Sequence, residues 1–499
     1  MCRHPVITLK AGALLNLQVT RLACYVGAAC LVSFWGCSDA GEPNRPAVAN
    51  ASATVNPYNA LSAIITLDAS NVDSARVLYS RAGGPTQSTP FYRVGNSPVR
   101  LAVLGLLPLT SYDWSVEAIG AGAVVRSASG QVTTGALPPF LQGVQLNMVG
   151  IPTPGYVLTS VSDGDTIGFV VAFDPSGSIA WYREFNYGVP PRETKQQANG
   201  NFTVFLGSSL GGNATYGWYF EFTPDGTVVR TYAANPPYYT DLHELLLTFA
   251  DTSLDKALFF GYDIRSVDLS PIGGPANAQV AGHSLLRQNA SGSVDFFWSA
   301  WDHFALADWI EEPAFLKQAS QGGDFDHPNS LEIDRDGNYL VSWRNFAEVT
   351  KVDSRNGNII WRLGGTHNQF TFLNDPLAGF SGQHTARVLD NGDLLIYDNG
   401  WRHTPSESRV AQYRLDLGAK TATLVWEFRH NPPIFTGFAG SAQRLSNGNT
   451  FIAWAFAATV TEVTPSGTIL WEGRLTAGGQ PVLLYRAIKM PSLYQFQRP

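Results

Sequence analysis

The sequence predicts an all-β fold, a six-bladed β-propeller preceded by a small β-sandwich, and three observations lead there. Of 499 residues only 15% are charged while 12% are aromatic, and 48 glycines with 30 prolines supply many turns. That balance suits short strands joined by tight turns better than a helical chain. Beyond residue 140 one unit recurs: a hydrophobic strand, a turn with glycine, then a strand often carrying tryptophan. Most of these units follow a second hairpin with its own Asn-Gly or Asp-Gly turn, the strongest short-range hairpin signal.

Residues 1–36 read as a signal peptide of the lipoprotein type. An apolar run over 22–36 follows Arg21, too short for a comfortable membrane span and suited to a signal core. It ends in Phe34-Trp35-Gly36-Cys37, so Cys37 is the expected lipidation site. The protein is then expected in the cell envelope, lipid-anchored on the periplasmic side of the outer membrane or free in the periplasm, with no other membrane contact. All four cysteines (Cys2, Cys24, Cys30 and Cys37) fall in the first 37 residues, so if Cys37 is lipidated no disulfide can form in the mature chain. The stretch 37–54, rich in Asn, Ala, Pro and Ser, reads as a flexible tether.

Residues 55–137 alternate short apolar runs with turns. Leu106, Pro108, Thr110, Tyr112, Val116 and Ala118 keep a spacing that resembles the tyrosine corner of a fibronectin type III sandwich. No chemistry is expected there.

The domain 140–499 carries the repeat. Its segments FDPSGSIAWYREF, FTPDGTVVRTY, RQNASGSVDFFWSAW, VDSRNGNIIWRLGG, LDLGAKTATLVWEFRH and VTPSGTILWEGRL turn at Gly177, Gly226, Gly292, Gly357, Gly418 and Gly467. Two hairpins per unit make a four-stranded blade, and one twisted blade needs neighbours to cover both faces. If the tight turns share one face, the opposite mouth receives the starts of the inner strands and the long connections 302–326 and 365–383, as befits a functional face.

Histidines gather at that mouth. His327 stands just before an inner strand and Arg344 closes the strand that returns from it. His384 begins the next blade, with Asp398 and Asn399 at the matching return, and His243 begins the inner strand of the blade before. Other blades place Lys195 or Ser441 near that position. One histidine before a strand is more often a structural hydrogen-bonding group; three in register with an arginine point to joint chemistry. His283, His303, His367, His403 and His430 lack the register and read as solvent-facing or structural, and Trp361 with Arg362 as blade packing.

Net charge is −7, and removing 1–36 leaves 30 basic against 40 acidic residues, so no basic stripe offers itself to nucleic acid. A three-histidine metal site would meet repulsion from Arg344 and no helping carboxylate, and His243-Glu244 lacks the second histidine of a zinc motif, so neither metal nor cofactor is expected. P-loop and dinucleotide glycine patterns are missing, and no serine elbow is expected. An oxyanion suits the set better. A guanidinium fork grips two oxygens of a sulfuryl or phosphoryl group, and a neutral imidazole can attack as a nucleophile.

The stretch 327–400, with His-Pro-Asn-Ser, Asp-Gly-Asn-Tyr-Leu-Val-Ser-Trp-Arg, Phe-Ser-Gly-Gln-His and Tyr-Asp-Asn-Gly, resembles the bacterial arylsulfate sulfotransferases, and the likeness extends more weakly over 140–499. The resemblance implies a six-bladed propeller. It implies transfer of a sulfuryl group from a phenolic sulfate ester to a phenol, without a nucleotide sulfate donor. His384 would be the sulfated nucleophile, His327 and Arg344 would bind the sulfuryl oxygens, and His243 would assist; from blade register alone, Asp398 or Asn399 is expected to orient His384, with Asn399 also facing substrate. The partners would be small phenolic donors and acceptors, and an oligomer stays open. Two other readings stand beside it: a surface propeller that only binds a ligand or protein, and a hydrolase that passes the sulfuryl group to water.

Overall fold

A computed structural model describes residues 45–494, apart from 96, 128, 165–166, 187–189, 212–213, 251–252 and 311–322. The leader 1–36, Cys37 and half of the connection 302–326 lie outside the described residues. Among the described residues every long element is a β-strand, as expected, with a few 3-10 turns between them.

The first module pairs two antiparallel sheets. Ala47–Asn56, Asn59–Ser70 and Val99–Val103 form one; Ser74–Arg81 and Ser111–Gly120 lie at the centre of the other. The chain therefore enters a sheet at Ala47, inside the stretch read as a tether. Its alternation is carried by Ala, Ser and Val, whose small contrast in polarity hides a strand from sequence inspection. Ile65, Leu67, Val77, Leu101, Trp114 and Val116 fill the core between the sheets. The Tyr112 hydroxyl accepts the Leu107 amide at 3.0 Å, tying the start of its strand to the preceding turn. The module is more than a spacer. Leu61 and Leu104 pack into cores of the following domain, and the Ala60 amide donates to the Tyr182 hydroxyl at 2.9 Å.

The remainder is a succession of antiparallel sheets with at least four strands each, six among the described residues. The second sheet opens with Arg192–Gln196, the third with Tyr239–Ala250, the fourth with Pro328–Ile333, the fifth with His384–Val388 and the sixth with Ser441–Arg444. The first sheet is completed out of order: Ala487–Met490, from the end of the chain, pairs with Tyr156–Ser162. These six strands touch one another in a closed cycle. Val144–Gly150 completes the outer edge of the sixth sheet, so both ends of the domain are tied into sheets distant in sequence.

The recurring tryptophan has a geometric reason. Trp181, Trp298 and Trp426, on the outer strands of alternate sheets, donate their indole N–H to Pro224, Gly357 and Pro465 in the glycine turn of the next sheet, at 2.8, 2.8 and 2.9 Å. Each bond staples neighbours while the ring fills the gap between them, and a buried side chain of this kind contributes about 1.5–3 kcal/mol. Trp361 is buried too, and Arg362 beside it pairs with Glu348 and Asp308, which agrees with a packing role. One turn departs from expectation: Gly418 is not left-handed, and Lys420 takes the positive φ of 52° instead. The connection 365–383 is tied down, since Thr371–Leu373 runs parallel to Thr421–Thr423 and Asp375 binds Arg409 at 2.9 Å.

Candidate active site

Inner strands normally continue their alternation to the end, but four of them are interrupted at the same level. Register shifts fall between Arg192 and Lys195, Thr240 and Leu245, Pro328 and Ser330, and His384 and Arg387. The first strand of the sixth sheet and the closing strand pair without one. A bulge re-aims a side chain, and these four turn Arg192, His243, His327 and His384 into one cleft. His327 and Thr385 carry positive φ, 47° and 44°, a strained backbone of the kind that functional sites retain.

The cleft holds about 390 Å³ and brings together all four residues expected to do chemistry: His243, His327, Arg344 and His384. The Arg344 amide donates to the His327 carbonyl at 3.0 Å, which is how one hairpin delivers both ends to one mouth. The rings of His243 and His327 meet edge to face with centroids 4.6 Å apart. The Arg344 guanidinium donates to Asn345 at 2.7 Å and lies over the Trp401 ring, 5.7 Å from its centroid.

Each imidazole is tied through Nδ1. His243 Nδ1 lies 2.9 Å from both Asp241 oxygens, and His327 Nδ1 bonds Asp324. Carboxylates only accept, so both rings carry their proton on Nδ1 and turn Nε2 inward. His384 is held by an amide. The Asn399 nitrogen donates to the Thr436 and Ala439 carbonyls at 2.6 and 3.1 Å, so its oxygen faces His384 Nδ1 at 2.7 Å. His384 Nε2 therefore keeps its lone pair, which accepts the Ala439 amide N–H at 3.1 Å.

Burial pushes the His384 pKa well below the usual histidine range; Asn399 opposes the shift, and Arg344 and His327 reinforce it. Burial also lowers His243, partly offset by Asp241. Both rings are neutral at neutral pH, one fit to attack and one fit to take a proton.

Three expectations need correction. Asn399 is fully buried behind His384 and does not line the cleft; its oxygen faces His384 Nδ1 rather than the cleft. Asp398 does not orient His384. Its side chain binds Arg409 at 2.9 Å and the Ser381 and Gly400 amides at 3.0 Å, because the strand's alternation points it outward. Lys195 lies further down its strand, in an ion-pair cluster with Glu193 and Glu244 that Arg387 and Arg486 complete. Arg192, three residues earlier, is the residue of that strand that reaches the cleft.

Sequence reasoning also missed a supporting layer. His283 is fully buried, bonded through Nδ1 to Asp326, with Nε2 3.6 Å from Asp241. Burial would lower its pKa, but the two carboxylates hold it well above the usual range. Asp241, which burial would raise, is held well below the carboxylate range by His243 and His283. The pairs Asp241-x-His243 and Asp324-x-x-His327 were legible as carboxylates near histidines. His283 sits mid-strand in another hairpin and had no such signal. His303, His367, His403 and His430 lie away from the cleft, His303 stacked on Trp298 and His430 bonded to Glu472.

His283, Asp324 and Asp326 bring ligand-type atoms within 4.8 Å of one another, while Asp326 already bonds His283 and Asp324 bonds His327. Against the expectation of no serine elbow, residues 207–211 carry Gly-x-Ser-x-Gly spacing. They end the strand Phe202–Gly211 and do not form the strand-to-helix turn of such an elbow.

No curated protein matches the chain. Among solved structures it is similar to a protein of unknown function from Bacteroides caccae, 15% identical over 68% of this chain and 100% of that one, TM-score 0.42. It is similar also to virginiamycin B lyase from Staphylococcus aureus, 10% identical over 65% of this chain and 87% of that one, TM-score 0.33. At such scores neither likeness bears on function. The sequence model of one family, Arylsulfotransferase (ASST), matches residues 212–476, a span that includes His243, His327, Arg344, His384 and Asn399.

Proposed function

The chain belongs to the arylsulfotransferase (ASST) family, and from that premise we propose that it carries a sulfuryl group from a phenolic sulfate ester to a phenolic acceptor by way of a sulfohistidine at His384. The scaffold is read as a six-bladed β-propeller behind a fibronectin type III-like sandwich. The observation that carries the reading is the neutral, amide-oriented His384 facing His243, His327 and Arg344 across one cleft.

In the first half-reaction His384 Nε2 attacks sulfur. The N–S bond forms as the S–O bond to the aryl group breaks, and the phenolate leaves with the electron pair. Arg344 takes the sulfuryl oxygens, joined by His327 in its doubly protonated form, in which Nδ1 keeps Asp324 and Nε2 has a proton to donate; a donor in place where charge develops is worth about 2.7–4 kcal/mol. The Ala439 N–H, released from Nε2, is positioned to bond one of those oxygens. In the second half the acceptor oxygen attacks sulfur, the N–S bond breaks, and His243 Nε2 takes the phenolic proton and later returns it to solvent. A positioned base of this kind contributes about 3–5 kcal/mol.

The test is nitrophenolate release from 4-nitrophenyl sulfate. Release that rises with added phenol supports transfer, and release indifferent to phenol supports hydrolysis. No release leaves a propeller that only binds. Intact-protein mass spectrometry of donor-treated protein is expected to find a sulfuryl adduct that His384→Ala abolishes; full turnover in that variant would remove the assigned nucleophile.

A further inference from the structure

We propose that Arg192 is a second anion-binding group of the cleft, selecting aryl ligands that carry a carboxylate besides the oxygen that gives or receives the sulfuryl group. The inference rests on the transfer reading above. Arg192 lies outside the span matched by the family, yet it stands at the bulge of its inner strand as the three histidines do at theirs.

Its surroundings are unusual for an arginine. Lys195 on the same strand, Arg387 on the fifth sheet's inner strand and Arg486 just before the closing strand are each paired with a glutamate. Arg192 has no ion pair and no side-chain hydrogen bond among the described residues; its neighbour is the Tyr485 ring, 5.9 Å away, whose hydroxyl also has no partner there. Arg192 is half-buried at the cleft wall, and the water it has lost there, with no counter-charge in its place, lowers its pKa. A guanidinium stays charged in proteins, and a desolvated charge without a partner is costly until a ligand supplies one.

The cleft's shape says where that ligand's charge would lie. Around the closed cycle of six inner strands, the second sheet, which bears Arg192, stands opposite the fifth, which bears His384. Leu242, Phe438, Phe456 and Leu483 supply apolar wall, with Phe438 and Phe456 packed edge to face at 4.1 Å. An aryl ring against that wall joins the two ends: its sulfated or accepting oxygen at His384, its carboxylate at Arg192. Guanidinium and carboxylate meet in a bidentate fork, which gives direction as well as attraction.

The experiment compares phenol with 4-hydroxybenzoate as acceptors, using 4-nitrophenyl sulfate as donor. Wild-type protein is expected to favour 4-hydroxybenzoate in kcat/KM by about tenfold or more. Arg192→Gln is expected to cut that ratio about tenfold, chiefly through KM, and Arg192→Lys to restore part of it. On the wild-type protein benzoate is expected to compete with the acceptor where benzyl alcohol does not, a measurement independent of how the variants fold. An unchanged ratio in Arg192→Gln, or equal losses with both acceptors, would overturn the proposal, the second result assigning Arg192 to the sulfuryl group itself. Nitrophenolate release that answers to neither acceptor in the wild type would instead sink the transfer reading, and this inference with it.

Discussion

Asp398 and Asn399 are neighbours in sequence and face opposite ways: Asp398 turns outward to Arg409 at 2.9 Å, and Asn399 turns inward to His384 Nδ1 at 2.7 Å. One holds the loop and the other His384, the nucleophile proposed above. Asn399→Ala is expected to lower kcat about 10–100-fold, as loss of an orienting partner does, and also to cost about 1–3 kcal/mol of stability because it leaves the Thr436 and Ala439 carbonyls unpaired. Asp398→Asn is expected to cost about 3 kcal/mol of stability, because it strips a partner from a fully buried arginine, and to leave KM nearly unchanged. Thermal unfolding and steady-state kinetics on the two variants separate these roles; a reversed pattern would refute the assignment.

Arg344→Lys keeps the charge and removes the fork. A loss of about 10²–10³-fold in kcat/KM for the donor is expected, since a point charge cannot bond two sulfuryl oxygens at fixed geometry. A lysine variant within a factor of about two of wild type would argue that Arg344 acts only through its field.

The pH dependence follows from His384. Its pKa lies below the ordinary value of about 6.5, so the attacking neutral form persists into acid. The nitrophenolate burst is expected to stay level from about pH 8 through about pH 6.5 and to fall only below that. Arg344 helps to depress this pKa, so Arg344→Gln is expected to move the acid limb to higher pH. Stopped-flow bursts across pH test both statements, and a limb that moves toward acid in the variant contradicts them.

Beneath the cleft, His283 is raised and Asp241 depressed. A raised histidine stabilises the fold below about pH 6.5 and loses that contribution as pH climbs through its folded value; a depressed aspartate stabilises above about pH 3.9 and loses it on acidification. Asp326→Asn leaves His283 short of a partner and is expected to cost about 3–5 kcal/mol near neutrality, less as pH rises. Urea unfolding at several pH values measures this, and a penalty growing with pH would be the wrong sign.

For the leader, Cys37→Ser is expected to move the protein from the membrane fraction to the soluble one. Retention in the membrane after the change would mean that no lipid at Cys37 anchors it.

What the sequence disclosed tracks what is local. The Asp-Gly and Asn-Gly turns and the returning tryptophans announce four-stranded meanders, and a single hairpin explains why His327 and Arg344 meet. Partners delivered by different sheets were beyond reach. Whether Asp398 or Asn399 faces His384 depends on the pleat of one strand, and a one-residue difference reverses the face. Arg192 against Lys195 is the same ambiguity, decided by a bulge that leaves no compositional trace. His283 reaches Asp326 across 43 residues and had nothing beside it to mark it.

The pairing of Ala487–Met490 with Tyr156–Ser162 orders events during biosynthesis. Contacts so far apart in the chain form late, because the loop entropy must be met before they contribute. Leu483, Leu484 and Tyr485 immediately precede that strand and line the cleft, so this part of its wall is set only when that long-range pairing forms. Until that pairing forms, His243, His327 and His384 stand without part of the wall that encloses them.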